Sequence, residues 1–431
     1  MLKIRLNADI VIIGGGSGGT AAAWSAAVNA PDKKIILIEA QNVLGGTSTL
    51  GGVNAWEPGC VGNSRLHYIL YNRLSNAGKA QICRYTSVNR DNRYLVAHVE
   101  RADNLEYEDT FRRKSPGRLV FDGEAMKQEL VNCLYTLPNL KVLTGWQLVD
   151  VRESGGRITE VTVCDISGGE CMRITAPLYI DATAEIVLSR MAGCRTELSV
   201  APNGVSQMYV VQKKQERGTD KIPDWVMDTE AVEWIQKNQP DTIFNHYPDG
   251  RLNANTLSTL EGEEYRKFGV DAKRIAVART YMMWNVLQKE CGMDDHRLSY
   301  IFPMLGVREG YRLIGKYVLT EEELAAGHSN QQRKEHFIAV ADHAIDVHKK
   351  EAVLHELNDY YGVPYECTLT NEIENMAVAS RGISLTQIAA ASCRLQRTIM
   401  QIGESVGRAA ANCTAGSFYQ ENIFMTVDRK I

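Results

Sequence analysis

The feature that most constrains the fold is a glycine-rich turn directly after an apolar run. Residues 10–13 are followed by Gly14-Gly15-Gly16-Ser17-Gly18-Gly19, in which Gly14, Gly16 and Gly19 have the G-x-G-x-x-G spacing. The first glycine allows a tight turn, the second lets backbone approach a diphosphate, and the third lets a helix pack on the strand. The pattern predicts a dinucleotide diphosphate at a helix N-terminus. A βαβ unit with a merely structural glycine turn is the alternative.

A carboxylate stands where such a site needs one. The apolar run 34–38 ends in Glu39, which lies 25 residues after Gly14. The usual spacing is about 20 residues, and the loop 29–32 accounts for the excess. A carboxylate here accepts hydrogen bonds from the adenosine ribose hydroxyls, so Glu39 supports the dinucleotide interpretation.

Two further glycine-rich segments follow, Gly45-Gly46-Thr47-Ser48 and Gly51-Gly52-Val53. In these segments the chain resembles FAD-dependent oxidoreductases with the glutathione reductase-type FAD-binding fold, distant relatives of the fumarate reductase flavoprotein subunits. The resemblance implies that the cofactor is FAD, with the first segment beside its diphosphate and the second beside the flavin ring. An ordinary surface loop is the alternative for the second segment.

The middle of the chain is rich in strand-like segments around a hairpin turn, at 141–144, 147–151, Ser154-Gly155-Gly156-Arg157, 158–163 and 178–180. They predict a β-meander followed by a strand that returns to a parallel sheet. The resemblance places Leu148 and Val149 near the adenine. It places Asp181, Ala182 and Thr183 near the diphosphate.

The last predicted helix, 397–412, carries Gly403 and Gly407 on one face, where another element can approach closely. The resemblance implies that its N-terminus points at the flavin N1/C2=O edge, where the helix dipole stabilises the reduced anionic flavin. Simple helix packing is the alternative. Arg394 precedes the helix and Met400 lies in it.

The predicted cofactor-binding residues come from both ends and the middle of the chain. They are Gly14, Gly16, Ser17, Gly18, Gly19, Glu39, Ala40, Gly45, Gly46, Thr47, Ser48, Gly52, Val53, Leu148, Val149, Asp181, Ala182, Thr183, Arg394 and Met400. No histidine lies between Gly45 and Asn54, so we expect FAD to be bound non-covalently.

Four residues are candidates for catalysis or substrate binding. The segment 306–317 reads G-V-R-E-x-x-R-x-x-G-x-Y, and the family carries a very similar segment. If it is helical, Arg308 and Arg312 share one face and can clamp an anionic or polyhydroxylated substrate. An ion pair at a domain interface, with Glu309 or another acid, is the alternative.

His348 is the predicted proton carrier, because histidine titrates near neutral pH. Asp346 and His348 are two apart and share one face of a predicted strand. A hydrogen-bonded core histidine is the alternative. Arg381 lies in a loop expected to reach the flavin, and Gln387 stands where relatives often carry histidine.

The length of 431 residues favours two domains. The predicted class is α/β, with a Rossmann-type FAD-binding domain (parallel sheet plus β-meander) and a second α+β substrate or cap domain. The FAD-binding domain is assigned to 1–65, 117–200 and 366–431. The cap is assigned to 66–116, an apparently irregular insertion, and 201–365.

Composition excludes several classes of partner. The formal charge is −4, which favours neither nucleic acid nor an anionic membrane, and no apolar run reaches the roughly 18 residues of a membrane span. The ten cysteines form no C-x-x-C pair and the histidines no H-E-x-x-H motif, so we expect no metal site.

The sequence thus predicts a cytoplasmic FAD-dependent oxidoreductase that transfers hydride between a small polar substrate and flavin N5. It does not identify the electron acceptor, and a homo-oligomer is possible. A flavin-dependent monooxygenase and a non-catalytic electron-transfer flavoprotein subunit are the alternatives. The absence of a second G-x-G-x-x-G in the chain argues against a separate NAD(P)H domain.

Overall fold

The computed structural model describes residues 4–57, 61–89, 94–200, 202–238, 241–348 and 353–419. The strands, β1 to β23 in chain order, are Ile4–Asn7, Ile10–Ile13, Ile35–Glu39, Ala55–Trp56, Ala80–Asn89, Val96–Arg101, Arg118–Phe121, Leu140–Thr144, Trp146–Glu153, Ile158–Asp165, Cys171–Thr175, Leu178–Asp181, Thr196–Leu198, Met208–Lys213, Thr242–His246, Leu252–Thr256, His296–Ile301, Tyr311–Leu313, Phe337–Ala341, Ile345–Val347, Val353–His355, Tyr361–Pro364 and Met376–Val378. The α-helices, α1 to α11, are Ser17–Asn29, Arg65–Asn76, Gly123–Leu134, Val187–Met191, Asp224–Met227, Ala231–Lys237, Gly262–Phe268, Ala272–Glu290, Glu321–Ala326, Gln387–Cys393 and Gln396–Asn412.

A five-stranded parallel sheet forms the centre of the molecule, in the order β23-β12-β2-β3-β8. Its strand β2 is buried at every position, as expected for a parallel strand covered on both faces. The strand predicted at 141–144 is β8 and joins this sheet rather than the meander. The predicted Rossmann-type sheet is confirmed.

The β-meander lies in a four-stranded sheet of order β1-β11-β10-β9. Strands β9, β10 and β11 are antiparallel neighbours. The third of them, Cys171–Thr175, did not stand out in the sequence. A disulfide between Cys164 and Cys171 joins β10 to β11, at a spacing that a search for C-x-x-C pairs does not detect.

Helices α1 and α11 approach so closely that their backbones are almost in contact. A Cβ atom on Gly403 would lie 2.1 Å from the Gly18 carbonyl oxygen, and one on Gly407 would lie 2.2 Å from that of Ala22. Such distances leave no room for any side chain at these two positions. The predicted close approach at Gly403 and Gly407 is confirmed, and the partner is the helix of the glycine-rich turn.

A mixed eight-stranded sheet carries the rest of the molecule, in the order β17-β14-β16-β15-β6-β5-β7-β4. One face packs against α5, α6 and α8 through a cluster that includes Phe244, Trp234 and Trp284. The prediction that 66–116 is irregular was wrong, because this segment contributes α2, β5 and β6. Strands β4 and β7 complete the sheet from segments assigned above to the FAD-binding domain; the domain boundaries stay a prediction.

Within the described residues, no helix combines the length and the apolarity that a membrane crossing requires.

Candidate active site

The glycine-rich turn has the backbone geometry that the motif requires. Gly14 has φ of 101°, and a Cβ on it would lie 2.7 Å from the carbonyl carbon of Ala182. A Cβ on Gly19 would lie 1.8 Å from the Gly14 oxygen. The position of Gly16 differs, since a Cβ there would meet nothing within 4 Å. Gly14 and Gly19 are therefore fixed by packing within the protein, whereas Gly16 faces open space.

That open space fits a diphosphate. Gly16 is the N-cap residue of α1, no side chain caps this helix, and no acidic residue lies in its first turn. The helix N–H groups and dipole thus remain available to an anion. The second glycine segment closes the other side, because Gly45 donates to the Gly15 carbonyl at 2.8 Å and a Cβ on Gly46 would lie 3.4 Å from Gly16 Cα.

Glu39 lies directly beside the turn, at the end of β3. Its Oε2 accepts from the Gly15 N–H at 2.6 Å and its Oε1 from the Gln41 N–H at 2.7 Å. Burial raises the pKa of this carboxyl. Two backbone bonds fix the carboxylate and leave lone pairs available for a ribose, as a dinucleotide site requires. Ala40 follows it at the edge of the sheet.

The other predicted cofactor residues differ in their burial and in what they contact. The Asp181 carboxylate is fully buried and accepts from Thr183 and Ser189, so it fixes the loop after β12 whose Ala182 backbone lies against Gly14. Gly18 serves helix packing, since a Cβ there would lie 1.9 Å from the Ala379 oxygen. On β9, Leu148 is buried and Val149 is 45% exposed.

The segment 51–53 meets the N-terminus of α11. Gln396, the first residue of α11, donates to the Val53 carbonyl at 2.9 Å and accepts from the Trp56 indole N–H at 3.2 Å. Asn253 on β16 donates to the Gly52 carbonyl at 3.0 Å, and the Val53 N–H donates to the Thr47 carbonyl at 3.0 Å. Ser17, Gly45, Ser48 and Met400 line one small cavity together with Trp56 and Gln396. The structure thus brings both ends of the chain to one cleft.

A cluster of charged side chains, which we call the His348 cluster, consists of Arg308, Asp346, His348 and Arg394. The Nε2 of His348 lies 2.7 Å from Asp346 Oδ2. Arg394 Nη2 lies 3.3 Å from the Asp346 carbonyl and 3.8 Å from its Oδ2. Arg308 donates to the Gly204 carbonyl at 2.6 Å and to Ser206 Oγ at 3.0 Å. Arg394, predicted as a cofactor residue, belongs to this cluster by its contacts.

The electrostatics of the His348 cluster leave positive charge in excess. Burial and the nearby Arg308 lower the pKa of His348 to about 4, so the ring is neutral at pH 7. The His348 and Arg394 side chains hold the pKa of Asp346 at about 2 in spite of its burial. Burial and Arg394 lower the pKa of Arg308, which means that its charge is poorly compensated. An anion between the two guanidiniums would relieve this strain.

The orientation of His348 suits a proton acceptor. The hydrogen bond to Asp346 selects the tautomer of His348 that carries its proton on Nε2. In this tautomer Nδ1 carries the lone pair that can accept a proton. The His348 backbone N–H donates to Asn203 Oδ1 at 2.6 Å. One hydrogen bond thus orients the ring and another holds the backbone of His348, and the predicted sharing of one face by Asp346 and His348 agrees with their contact.

Two residues around the cluster, Asn203 and Glu185, carry no signal in the sequence, and they lie beside it together with Glu309 and Gln387. Asn203 donates its amide to Glu309 Oε1, and Gln387 donates to Glu309 Oε2 at 3.0 Å. Glu185 accepts from Arg381 at 2.8 Å and from the Tyr311 N–H at 3.2 Å. These contacts join residues more than 75 positions apart, and no local pattern marks them. Burial, and with it the nearby charge of Arg381, lowers the pKa of Arg394, so Arg381 lies beside the cluster.

Arg312 does not pair with Arg308, because the segment is not helical. Residues Tyr311–Leu313 form a strand, and the buried Arg312 lies 3.2 Å from Glu197, donates to the Leu385 carbonyl at 3.1 Å and contacts Ser199. The predicted two-arginine clamp is wrong in this respect. The alternative of a structural ion pair describes Arg312.

Comparison with known proteins agrees with this architecture. Residues 9–423 match the family model for FAD-dependent oxidoreductases. A geranylgeranyl bacteriochlorophyll reductase-like protein from Thermoplasma acidophilum has a similar structure, with 10% identity over 94% of this chain and 78% of that one, at a TM-score of 0.51. A myxobacterial chondrochloren halogenase follows with 12% identity, 95% and 76% coverage, and a TM-score of 0.47. No curated protein sequence matches this chain.

The fold, the glycine turns and the family match lead to one assignment. The neighbours share only the fold at these identities, whereas the family model covers nearly the whole chain. The cleft between α1, β3 and α11 fits the cofactor that this family uses. The chain belongs to the family of FAD-dependent oxidoreductases and is an enzyme that uses FAD.

Proposed function

We propose that this enzyme transfers hydride between FAD and a small oxygenated substrate that carries a carboxylate next to a hydroxyl or carbonyl group. The contact between His348 and Asp346, with two arginines beside them, carries this proposal. Bound FAD supplies the hydride acceptor or donor. The protein supplies binding, orientation and proton transfer.

Arg308 and Arg394 have different roles in substrate binding. Among the residues that the structure describes, the hydrogen-bond acceptors of Arg308 are the Gly204 carbonyl and Ser206 Oγ, and neither is a carboxylate. A substrate carboxylate would give this guanidinium a charged partner. Arg394 holds Asp346 from the other side. An anionic substrate therefore binds without leaving either charge uncompensated.

His348 takes the proton from the substrate hydroxyl through Nδ1. Its pKa of about 4 makes it a weak base in the free enzyme, and Arg308 is the second cause of that shift. A bound carboxylate neutralises the field of Arg308 and thereby raises the basicity of His348. Asp346 stabilises the imidazolium that forms. The substrate thus activates the base that acts on it.

The cofactor residues fit the same proposal. Gly16, Gly46 and the N-terminus of α1 would hold the FAD diphosphate, and Glu39 would bind the ribose hydroxyls. The segment 51–53 and the N-terminus of α11 would hold the flavin ring. Their mutual contacts through Gln396, Trp56 and Asn253 support this arrangement.

Anaerobic mixing with candidate substrates tests the proposal. We expect hydroxy acids to bleach the oxidised-flavin band, and the matching uncharged hydroxy amides to leave it intact. Arg312→Gln serves as the control. Because Arg312 lies outside the His348 cluster, we expect this variant to distinguish acid from amide as the wild-type protein does. Equal bleaching by acid and amide, or none with any oxygenated acid, contradicts the proposed substrate class.

A further inference from the structure

Three potential metal ligands meet on the face of the eight-stranded sheet that packs against helices. His98 and Glu100 are two apart on β6, and His246 ends the neighbouring strand β15. The two strands pair in parallel, with Phe244 opposite His98 and Asn245 opposite Val99. His246 therefore comes next to Glu100, and all three side chains point to the same side.

The ligand atoms lie close enough for one ion. His98 Nδ1 is 3.0 Å from His246 Nε2, and His246 Nε2 is 3.6 Å from Glu100 Oε1. All three ligand atoms lie within 4.8 Å of one another. Nitrogen ligands about 2.1 Å from a tetrahedral Zn²⁺ are separated by about 3.4 Å, so the two separations of 3.0 Å and 3.6 Å need to change by only a few tenths of an ångström.

Neighbouring residues hold these ligands in place. The pairing of β5 with β6 shifts register between Tyr85 and Ser87, which leaves Thr86 in a bulge. Its hydroxyl donates to Glu100 Oε2 at 2.6 Å and leaves Oε1 on the side of His246. A bulge that redirects one side chain, and a hydroxyl that orients a carboxylate, are common beside ligand sites.

All three ligand residues are partly exposed. The Glu100 side chain is 45% exposed and that of His246 is 24% exposed. Solvent can therefore reach the cluster and supply water as further ligands.

We propose that His98, Glu100 and His246 bind a divalent transition metal ion of the Zn²⁺ class. Two imidazoles and one carboxylate select such an ion over Mg²⁺ and Ca²⁺, which prefer all-oxygen sites. This site lies on the opposite face of the sheet from the segment 51–53. On β15, Asn245 Nδ2 approaches Asn54 Oδ1 at 3.4 Å, and the next side chain, His246, points away. The inference is independent of the proposed substrate chemistry.

The test is calorimetric titration of the tag-free, EDTA-treated holoprotein with ZnCl₂. We expect one Zn²⁺ per chain and an affinity at least about tenfold weaker in His98→Gln, His246→Gln and Glu100→Gln, with a smaller loss in Thr86→Val. The exposed His355 gives the matched control, His355→Gln, which retains wild-type binding.

Bound FAD and the far-ultraviolet circular dichroism of each variant show whether it is folded. If the histidine variants fail to fold, Glu100→Gln is the decisive variant, because the Glu100 side chain is more exposed than that of His246. The proposal is overturned if wild-type protein binds no Zn²⁺, or if folded variants bind it as tightly as His355→Gln. In that case the two histidines form only a hydrogen bond with each other.

Discussion

The cofactor cleft and the His348 cluster recognise their ligands by different means. Along the cleft, backbone N–H groups, missing Cβ atoms and the single carboxylate of Glu39 make the site. In the cluster, four charged or titratable side chains from three distant segments make it. A backbone site follows from local sequence, whereas a side-chain site follows from tertiary packing.

This difference predicts how the two regions respond to substitution. A methyl group added at Gly14 or Gly19 meets fixed backbone, so its effect on stability is large. A changed side chain in the cluster removes one interaction among several, so its effect is graded and depends on pH. The predictions below test that contrast.

The largest effect is expected at Gly19. Gly19→Ala places Cβ 1.8 Å from the Gly14 oxygen, and overpacking of this kind costs about 3 kcal/mol or more. We expect no soluble FAD-loaded protein, as measured by flavin absorbance after purification. A normal yield of yellow Gly19→Ala protein would show that the turn is more tolerant than its geometry indicates.

Gly16→Ala sharpens the contrast within the same turn. Its Cβ meets no protein atom within 4 Å, so the free energy of unfolding of the apoprotein stays within about 0.5 kcal/mol of wild type. FAD affinity falls by at least about tenfold, because the methyl group enters the diphosphate space. Chemical denaturation and FAD titration measure the two quantities. Undiminished FAD affinity contradicts the placement of the diphosphate.

His348→Gln is expected to lower kcat about 100-fold, the usual range for loss of a general base. In wild-type enzyme, kcat/KM rises as pH increases through about 4 and is level above, because only neutral His348 accepts a proton. The variant lacks this acid limb. Steady-state kinetics across the pH range measure both effects, and a limb that persists in the variant assigns the base to another residue.

The pair Arg308→Gln and Arg312→Gln separates binding from stability. Arg308→Gln raises KM for carboxylate substrates about tenfold or more with little loss of stability, since in the described part of the chain its hydrogen bonds go to a carbonyl and a hydroxyl. Arg312→Gln leaves KM unchanged and lowers the free energy of unfolding by about 2 kcal/mol, through its lost contacts to Glu197 and Leu385. The opposite pattern would reverse the two assignments.

The last prediction concerns stability in acid. The pKa of His348 is about 4 in the folded protein and about 6.5 in the unfolded chain. Unfolded protein therefore binds more protons between these values, and stability falls as pH decreases through this window. The contribution of His348 is at most about 3 kcal/mol. Urea denaturation at several pH values should show a shallower decline in His348→Gln, and parallel curves for the two proteins refute this contribution.

The cleft was predictable because its determinants are local. The G-x-G-x-x-G turn, Glu39 at the end of an apolar run, and the glycines at 403 and 407 are each recognisable from a few residues of sequence, and the structure confirms the packing behind them.

The His348 cluster and the proposed metal site were not predictable in the same way. Asn203 reaches His348 across 145 positions, and His98 reaches His246 across 148. Pairing of β6 with β15 creates the second contact, and no periodicity in either strand signals which strand will be its neighbour. The spacing of Arg308 and Arg312 led to a wrong prediction of a two-arginine clamp, because Tyr311–Leu313 form a strand and not a helix.

The interlocking of α1 with α11 has a consequence for synthesis of the chain. Ser25 donates to the carbonyl of Glu404, which is 379 positions later. At a translation rate of about 5–20 residues per second, α1 waits tens of seconds for its partner. During this interval the face of α1 that packs against α11 is uncovered. The nascent chain depends on chaperones or on its own solubility until α11 emerges from the ribosome.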